Sequence, residues 1–332
     1  MKKKVDEAVG YRTALDLSAI TPEFKGAIIR RGEIIEDKHI ELLKKHGHYY
    51  VYVEEGKDSG VWEDEAVVAL GKVVVSDHIE VLPRSEGKAF LIAREDGLVL
   101  VNREGLKKLN LSGIFVLITV RNGAFARVGD VIGVVDMVPL TIPTSLFNEF
   151  IDEFKKDYPL ISLHPSRTKK IGIVVTGNEI VDGLKEDLAG PIIERKIKEY
   201  GCSKVYYAQS RDDENEIADT IIEALKVSDA VVVSGGMSVD PTDKTPEAIR
   251  KIADKIVFYG IPIKPTTMSM LAYREGKAIL GVSSGIIYFP DYNVLDVILP
   301  WIVSNVEPTR DFIAELGEGG LSSYFLGKLN KK

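Results

Sequence analysis

The chain has 332 residues, of which 45% are hydrophobic and 28% charged, an ordinary balance for a folded globular protein that excludes the disordered, fibrous and membrane-spanning classes. A net charge of -7, from 43 Lys+Arg against 50 Asp+Glu, argues against a surface that neutralises a nucleic-acid backbone. The single cysteine, Cys202, excludes an intramolecular disulfide framework and fits a reducing cytoplasm.

At the start of the chain Lys2, Lys3 and Lys4 resemble the basic end of an export signal, but Asp6, Glu7 and Arg12 interrupt the apolar stretch that would have to follow. The longest apolar runs, such as Ala230 to Val233, fall far short of the ~20 residues of a membrane helix. Lys38 to Lys45 and Glu63 to Leu70 read as helices, and much of Lys88 to Ile142 reads as strands with turns at Asp96-Gly97, Asn122-Gly123 and Gly129-Asp130. Residues 1–165 are therefore expected to form a β-rich or α+β region. An amphipathic stretch from Phe147 to Phe154, followed by Pro159 and Pro165, leads out of it.

Residues 166–332 alternate apolar runs with helical patterns, which predicts βαβ units and a three-layer, doubly wound, mostly parallel α/β domain. Strands are expected at Lys170 to Val175, Lys204 to Ala208, Ala230 to Val233, Ile256 to Tyr259 and Ala278 to Val282. Helices are expected after Pro191, over Glu214 to Lys226, from Thr245-Pro246 and over Tyr292 to Val303.

In such sheets ligands bind beyond the carboxyl ends of the strands. The loop after the third strand, Ser234-Gly235-Gly236-Met237-Ser238, sets two glycines between two hydroxyls, so that backbone N–H groups can approach an anion. Asp240 and Asp243 follow, before the helix at Thr245; Asp243 reads as a cap, as a Mg²⁺ ligand beside a phosphate, or as both. The loop after the first strand, Thr176-Gly177-Asn178-Glu179, continues through Asp182, Gly183 and Asp187, a polar composition suited to a hydroxylated ligand. Elsewhere the residues point to structure. His46-Gly47-His48 reads as an exposed helix end, Ser283-Ser284 lacks a histidine nearby in sequence, and Asp212-Asp213-Glu214 reads as a helix cap with Asp212 kept as a weak site candidate.

Taken in order, Thr176-Gly177-Asn178-Glu179, Gly183, Asp187, Ser210-Arg211-Asp212-Asp213, Asp229, Ser234 to Ser238, Asp243 and Lys264-Pro265 resemble the molybdopterin-binding domain. This domain is shared by molybdopterin molybdotransferases, molybdopterin adenylyltransferases and competence-damage-type proteins. Val5-Asp6-Glu7-Ala8-Val9-Gly10 and the Asp16-Leu17 to Phe24-Lys25-Gly26 stretch are similar to the molybdotransferase type. The resemblance implies a pterin-phosphate ligand bound by Thr176, Gly177, Asn178, Glu179, Ser234, Gly235, Gly236 and Ser238, with Asp243 and Lys264 in the chemistry and Asp243 and Asp240 on a metal. It further implies molybdopterin, Mg²⁺ and molybdate as cofactors or substrates, a homodimer, and docking to molybdoenzymes or cofactor-synthesis proteins.

The chain departs from the family's usual residues at Ala189, at Thr266-Thr267-Met268 and at Val282-Ser283-Ser284-Gly285-Ile286. Three functions stay open: a molybdopterin-binding protein of molybdenum-cofactor synthesis, including a molybdotransferase; a non-catalytic cofactor carrier or regulator; and a competence-damage-type nucleotide pyrophosphatase.

Overall fold

The computed structural model describes residues 1–54, 60–84, 86–238, 240 and 243–329. Pro241 and Thr242, which sit between the two aspartates of the acidic segment, lie outside the described residues. The chain divides into two compact units: Met1–Arg94 with Val101–Arg121 and Val128–Leu163, and Glu95–Leu100 with Asn122–Arg127 and His164–Lys332.

The first unit is α+β. Its largest sheet is antiparallel, in the order Ile79–Arg84, Lys88–Ala93, Val131–Met137, Phe115–Thr119. A small core of Val5, Ala8, Leu17, Ile29, Ile35, Leu43, Val51 and Val53 supports its N-terminal part. Helices at Asp37–Lys45 and Glu63–Val74 lie where periodicity places them. A helix at Arg103–Leu111 interrupts the stretch expected to be strands. Asn102 starts it by accepting the Gly105 N–H at 3.0 Å, a single polar cap inside a β-rich window.

In the second unit β1 (Lys170–Thr176), β2 (Ser203–Ser210) and β3 (Ala230–Ser234) are followed by β4 (Lys255–Tyr259), β5 (Met270–Arg274) and β6 (Lys277–Val282). They form one sheet in the order β2-β1-β3-β6-β5-β4. The first four positions are parallel, and β5 and β4 close the edge antiparallel. β5 has no counterpart in the sequence reading because Met-Leu-Ala-Tyr-Arg lacks β-branched residues. It pairs with β6 across a turn in which Glu275 and Gly276 both have positive φ, 49° and 75°, as a tight hairpin requires.

Four helices cover the sheet: α1 (Ala189–Glu199), α2 (Glu214–Val227), α3 (Thr245–Ile252) and α4 (Val294–Val303). Ile193 and Ile197 of α1 and Ile298 and Trp301 of α4 bury one face, while Ile217 and Ile221 of α2 and Ile249 of α3 bury the other. The largely apolar β1 and β3 lie between, as strands buried on both faces do. The first-half segments also contribute: Ala124–Ala126 pairs with Gly97–Val99, and Leu98 is fully buried in the α1/α4 layer with its N–H on the Ser304 hydroxyl at 3.1 Å.

Candidate functional site

From β1 the chain crosses to β2 on one side, and β3 returns to the other side of β1. The carboxyl ends of β1 and β3 therefore splay into a crevice where the winding reverses. A cleft of about 240 Å³ opens there, walled by Thr176, Gly177 and Glu179 after β1, Ser234, Gly235 and Gly236 after β3, Asp243 before α3, and Lys185, Glu186 and Asp187 ahead of α1. Asp212, Ser284 and Ile287 complete the wall.

The glycine loop follows from its neighbours. Gly235 has φ +108°, and a Cβ there would lie 2.6 Å from Thr176 Oγ1 and collide with the Thr176 carbonyl, so only glycine lets the ends of β1 and β3 approach this closely. Thr245, at the start of α3, fixes the loop from behind: its hydroxyl donates to the Gly235 carbonyl at 2.8 Å and its N–H to the Gly236 carbonyl at 3.2 Å. The Met237 carbonyl accepts the Tyr259 hydroxyl at 2.9 Å.

These bonds hold the carbonyls and leave donors open. Among the described residues the Gly236 and Met237 amides donate to no partner. The Ser234 hydroxyl, in a residue 1% exposed, also has none. Buried polar groups are almost always paired, so this cluster of open donors at a strand end marks a place for an acceptor-rich group.

The opposite wall is acidic. Asp187 is locked just ahead of α1, accepting the N–H groups of Ala189 at 2.8 Å and Gly190 at 2.9 Å, and the Tyr207 hydroxyl at 2.9 Å. Asp212 is clamped to the loop after β1, taking the Asn178 N–H at 3.0 Å while its own N–H donates to the Asn178 side chain at 3.2 Å. Burial raises the Asp212 carboxyl above its ordinary range; Glu179 and Asp243 add to this, and the Asn178 N–H works against it. Lys185 stands 3.9 Å from Glu179, and it is the one basic residue among the wall residues.

Of the expected site residues the fold thus brings together Thr176, Gly177, Glu179, Ser234, Gly235, Gly236 and Asp243. Asn178 acts through Asp212. Ser238 is exposed outside the wall, with its N–H on Asp243 Oδ2 at 2.6 Å, and Asp240 is exposed with its carbonyl on the Asp243 N–H at 2.9 Å. Lys264 is not brought in: it is exposed, outside the wall, and its backbone pairs with Gly320 at 2.7 Å and with Ser322 at 3.3 Å. Among the described residues no three His, Cys, Asp or Glu side chains form a group that could hold a metal ion. A Mg²⁺ here would fit Asp243 only with ligand phosphate oxygens and water completing its shell, which is how this ion is usually held.

Lys185, Glu186 and Ile287 escaped the sequence reading because each sits in a segment with no motif of its own, whereas Ser284 was weighed only as a nucleophile and lies in the wall. Asp187, expected in the polar loop after β1, lies in the wall and bonds the first N–H groups of α1.

Residues 172–290 match a family described as a probable molybdopterin binding domain, and residues 2–55 match a domain of unknown function. A molybdopterin molybdenumtransferase of Staphylococcus epidermidis is 25% identical over 133 residues, covering 38% of this chain and 32% of the relative. A molybdopterin adenylyltransferase of Pyrococcus furiosus is 27% identical over 164 residues, covering 49% of this chain and 91% of the relative. The chain thus spans about a third of the length of the molybdenumtransferases it matches. Among solved structures, the molybdopterin biosynthesis MoeA protein from Pyrococcus horikosii aligns over 92% of this chain and 75% of its own, at 15% identity and a TM-score of 0.36. MoaB from Pyrococcus furiosus, described as a tungsten cofactor synthesizing protein, aligns over 41% of this chain and 93% of its own, at 22% identity and a TM-score of 0.34.

Proposed function

We propose, from the membership of residues 172–290 in the molybdopterin-binding domain family, that this chain binds molybdopterin in the cleft at the ends of β1 and β3 and acts in molybdenum-cofactor synthesis or handling. The observation that carries the reading is the set of open donors, Ser234 Oγ with the Gly236 and Met237 amides, gathered on a loop held rigid from behind. Such a loop takes a phosphate without reorganising. Thr176, Gly177 and Glu179 form the facing side, with Asn178 bonded to Asp212 beside them, and Ser238 keeps Asp243 in place through its N–H.

The acidic wall sets the ionic requirement. A phosphate beside Asp243, Asp212 and Glu179 faces repulsion that Lys185 alone does not offset, so binding calls for Mg²⁺ shared between the phosphate and Asp243, with Asp240 next in line. Transfer of molybdate would add a second oxyanion and make Asp243 indispensable.

Titration of the full chain with molybdopterin tests this: binding is expected with Mg²⁺ and should weaken when the ion is chelated. Asp243→Asn removes a Mg²⁺ carboxylate and a charge that repels the phosphate together, so affinity should change modestly while any molybdate insertion is abolished. Robust insertion without a divalent ion, or turnover of a nucleotide pyrophosphate instead, sinks the reading. The exposed placement of Lys264 favours a second reading, a carrier or regulator that holds the cofactor without altering it; it predicts tight binding and no insertion under any ionic condition.

The chain is further proposed to be a cytoplasmic homodimer held partly by residues before Pro143, docking to molybdoenzymes or cofactor-synthesis proteins. Sedimentation at micromolar concentration should give twice the chain mass. No helix among the described residues is long and apolar enough to cross a membrane.

A further inference from the structure

Asp212 holds a carboxylate in the cleft wall with no cation to answer it. Its neighbour Arg211 is already committed, with Nη2 on Asp182 at 2.6 Å and its N–H on Glu216 at 2.8 Å. The charged groups acting on Asp212 are the carboxylates of Glu179 and Asp243. Oδ2 accepts the Asn178 N–H, while Oδ1 accepts no hydrogen bond among the described residues. The Asn178 N–H holds Oδ2, and the Asn178 side chain holds the Asp212 backbone N–H.

A half-buried, oriented carboxylate in acidic surroundings is costly unless a ligand brings donors to it. Each carboxylate oxygen has two lone-pair sites, so Oδ2 keeps one free beside the open Oδ1, and the pair suits two parallel N–H groups. The same cleft holds the unpartnered Ser234 hydroxyl, 1% exposed, an independent sign that its polar atoms are arranged for a ligand.

We propose that Asp212 determines ring specificity in this cleft, its carboxylate accepting the two adjacent N–H donors of a 2-amino-4-oxopyrimidine edge, with Asn178 as the positioning residue. The inference rests on the pterin reading above and adds to it the group that selects the ring. It has a sharp chemical consequence. A 2,4-dioxo ring presents a carbonyl where the 2-amino group was, and that oxygen would face the carboxylate. A site built to pair with a donor rejects an analogue lacking it far more strongly than an apolar pocket rejects a methylene.

The test uses the full chain with Mg²⁺ and two probes, neopterin monophosphate and its 2,4-dioxo (lumazine) counterpart, each titrated by calorimetry. The wild type should prefer the 2-amino ring by on the order of 100-fold. Asp212→Asn, whose amide can offer a donor to the 2-oxo group, should erase or invert that preference. Asn178→Ala keeps the backbone N–H on Oδ2 but removes the side-chain acceptor that holds the Asp212 N–H, so the loop that presents the carboxylate loosens and the preference should narrow by about tenfold; it provides a second variant should the first fold poorly. Equal affinity of the wild type for the two rings, or an unchanged preference in Asp212→Asn, overturns the assignment while leaving the phosphate loop intact. Binding of neither probe by the wild type overturns the pterin reading together with it.

Discussion

Ser234 combines two properties that a substitution can separate. Its hydroxyl is buried without a partner, so the folded chain bears a desolvation cost that only a ligand relieves. Ser234→Ala should raise the stability of the free protein by about 1 kcal/mol and at the same time weaken binding of the proposed pterin ligand, a pairing of opposite signs readable by thermal melting and titration. An unchanged affinity would remove the hydroxyl from the site. Gly235 is less suited to that purpose. A β-branched replacement there adds a Cβ that collides with the Thr176 carbonyl, so binding and strand packing fail together.

A different residue, Lys196, lies in the apolar stripe of α1 and is 2% exposed. Its ammonium bonds Asp296 of α4 at 2.5 Å and the Asp291 carbonyl at 2.8 Å. Burial pushes the Asp296 carboxyl up, and Lys196 with the Asn293 N–H pulls it back. Lys196→Met should cost about 3–5 kcal/mol, because it strands a buried carboxylate, and adding Asp296→Asn should restore part of it. Denaturant unfolding of the two singles and the double checks this; additive losses would contradict the coupling.

At the scale of elements, α1 shows how a cleft wall is made from a helix start. Asp187 satisfies the first N–H groups of α1 and faces the cleft, and Gly190 leaves room for it: a Cβ there would collide with Asp187 and come within 3.0 Å of the Tyr207 ring. Gly190→Ala should therefore lower both helix stability, by roughly 1–3 kcal/mol, and ligand affinity. Retention of wild-type affinity in that variant would detach Asp187 from the site. The helices and parallel strands of this unit were legible because their apolar periods are long and regular. β5 and the Arg103–Leu111 helix were not, since each depends on one local device, a positive-φ turn or a single asparagine cap, inside a window dominated by another pattern.

For the whole molecule, the second unit is not one continuous stretch. Leu98 lies in its core, Leu100 and Phe125 pack against that core, and the Phe125 ring meets Tyr200 edge-on at 5.0 Å. A fragment of residues 166–332 leaves those contacts open. It should melt well below the corresponding unit of the full chain; equal melting would show that the two first-half segments add nothing.

In the first unit the Glu63 carboxyl is raised by burial and then by Asp64, against the pull of Lys88 and Arg31, with Asp16 pushing the same way as Asp64. A carboxyl raised in the folded state holds its proton longer there than in the unfolded chain, so it costs stability above the raised value. That cost shrinks as pH falls toward the ordinary value of 4.5 and is absent below it. Glu63→Gln should accordingly gain melting temperature at pH 7.5 and gain little at pH 4; the reverse order would refute the burial argument.

What the sequence determined by itself was what local chemistry suffices to fix. Regular apolar periods gave the doubly wound sheet, and Ser234-Gly235-Gly236 at a strand end marked the glycine loop of the cleft. Only the tertiary structure decided which polar residues share the cleft. The carboxylates of Glu179, Asp187, Asp212 and Asp243 come from three separate loops and meet because β1 and β3 are neighbours in the sheet. Lys264, beside them in the family's ordered motifs, is left outside because its segment follows an antiparallel edge strand and pairs with Gly320 and Ser322. Chain order sets which residues are available, and strand order sets which of them meet; periodicity encodes the first directly and the second only through long-range packing.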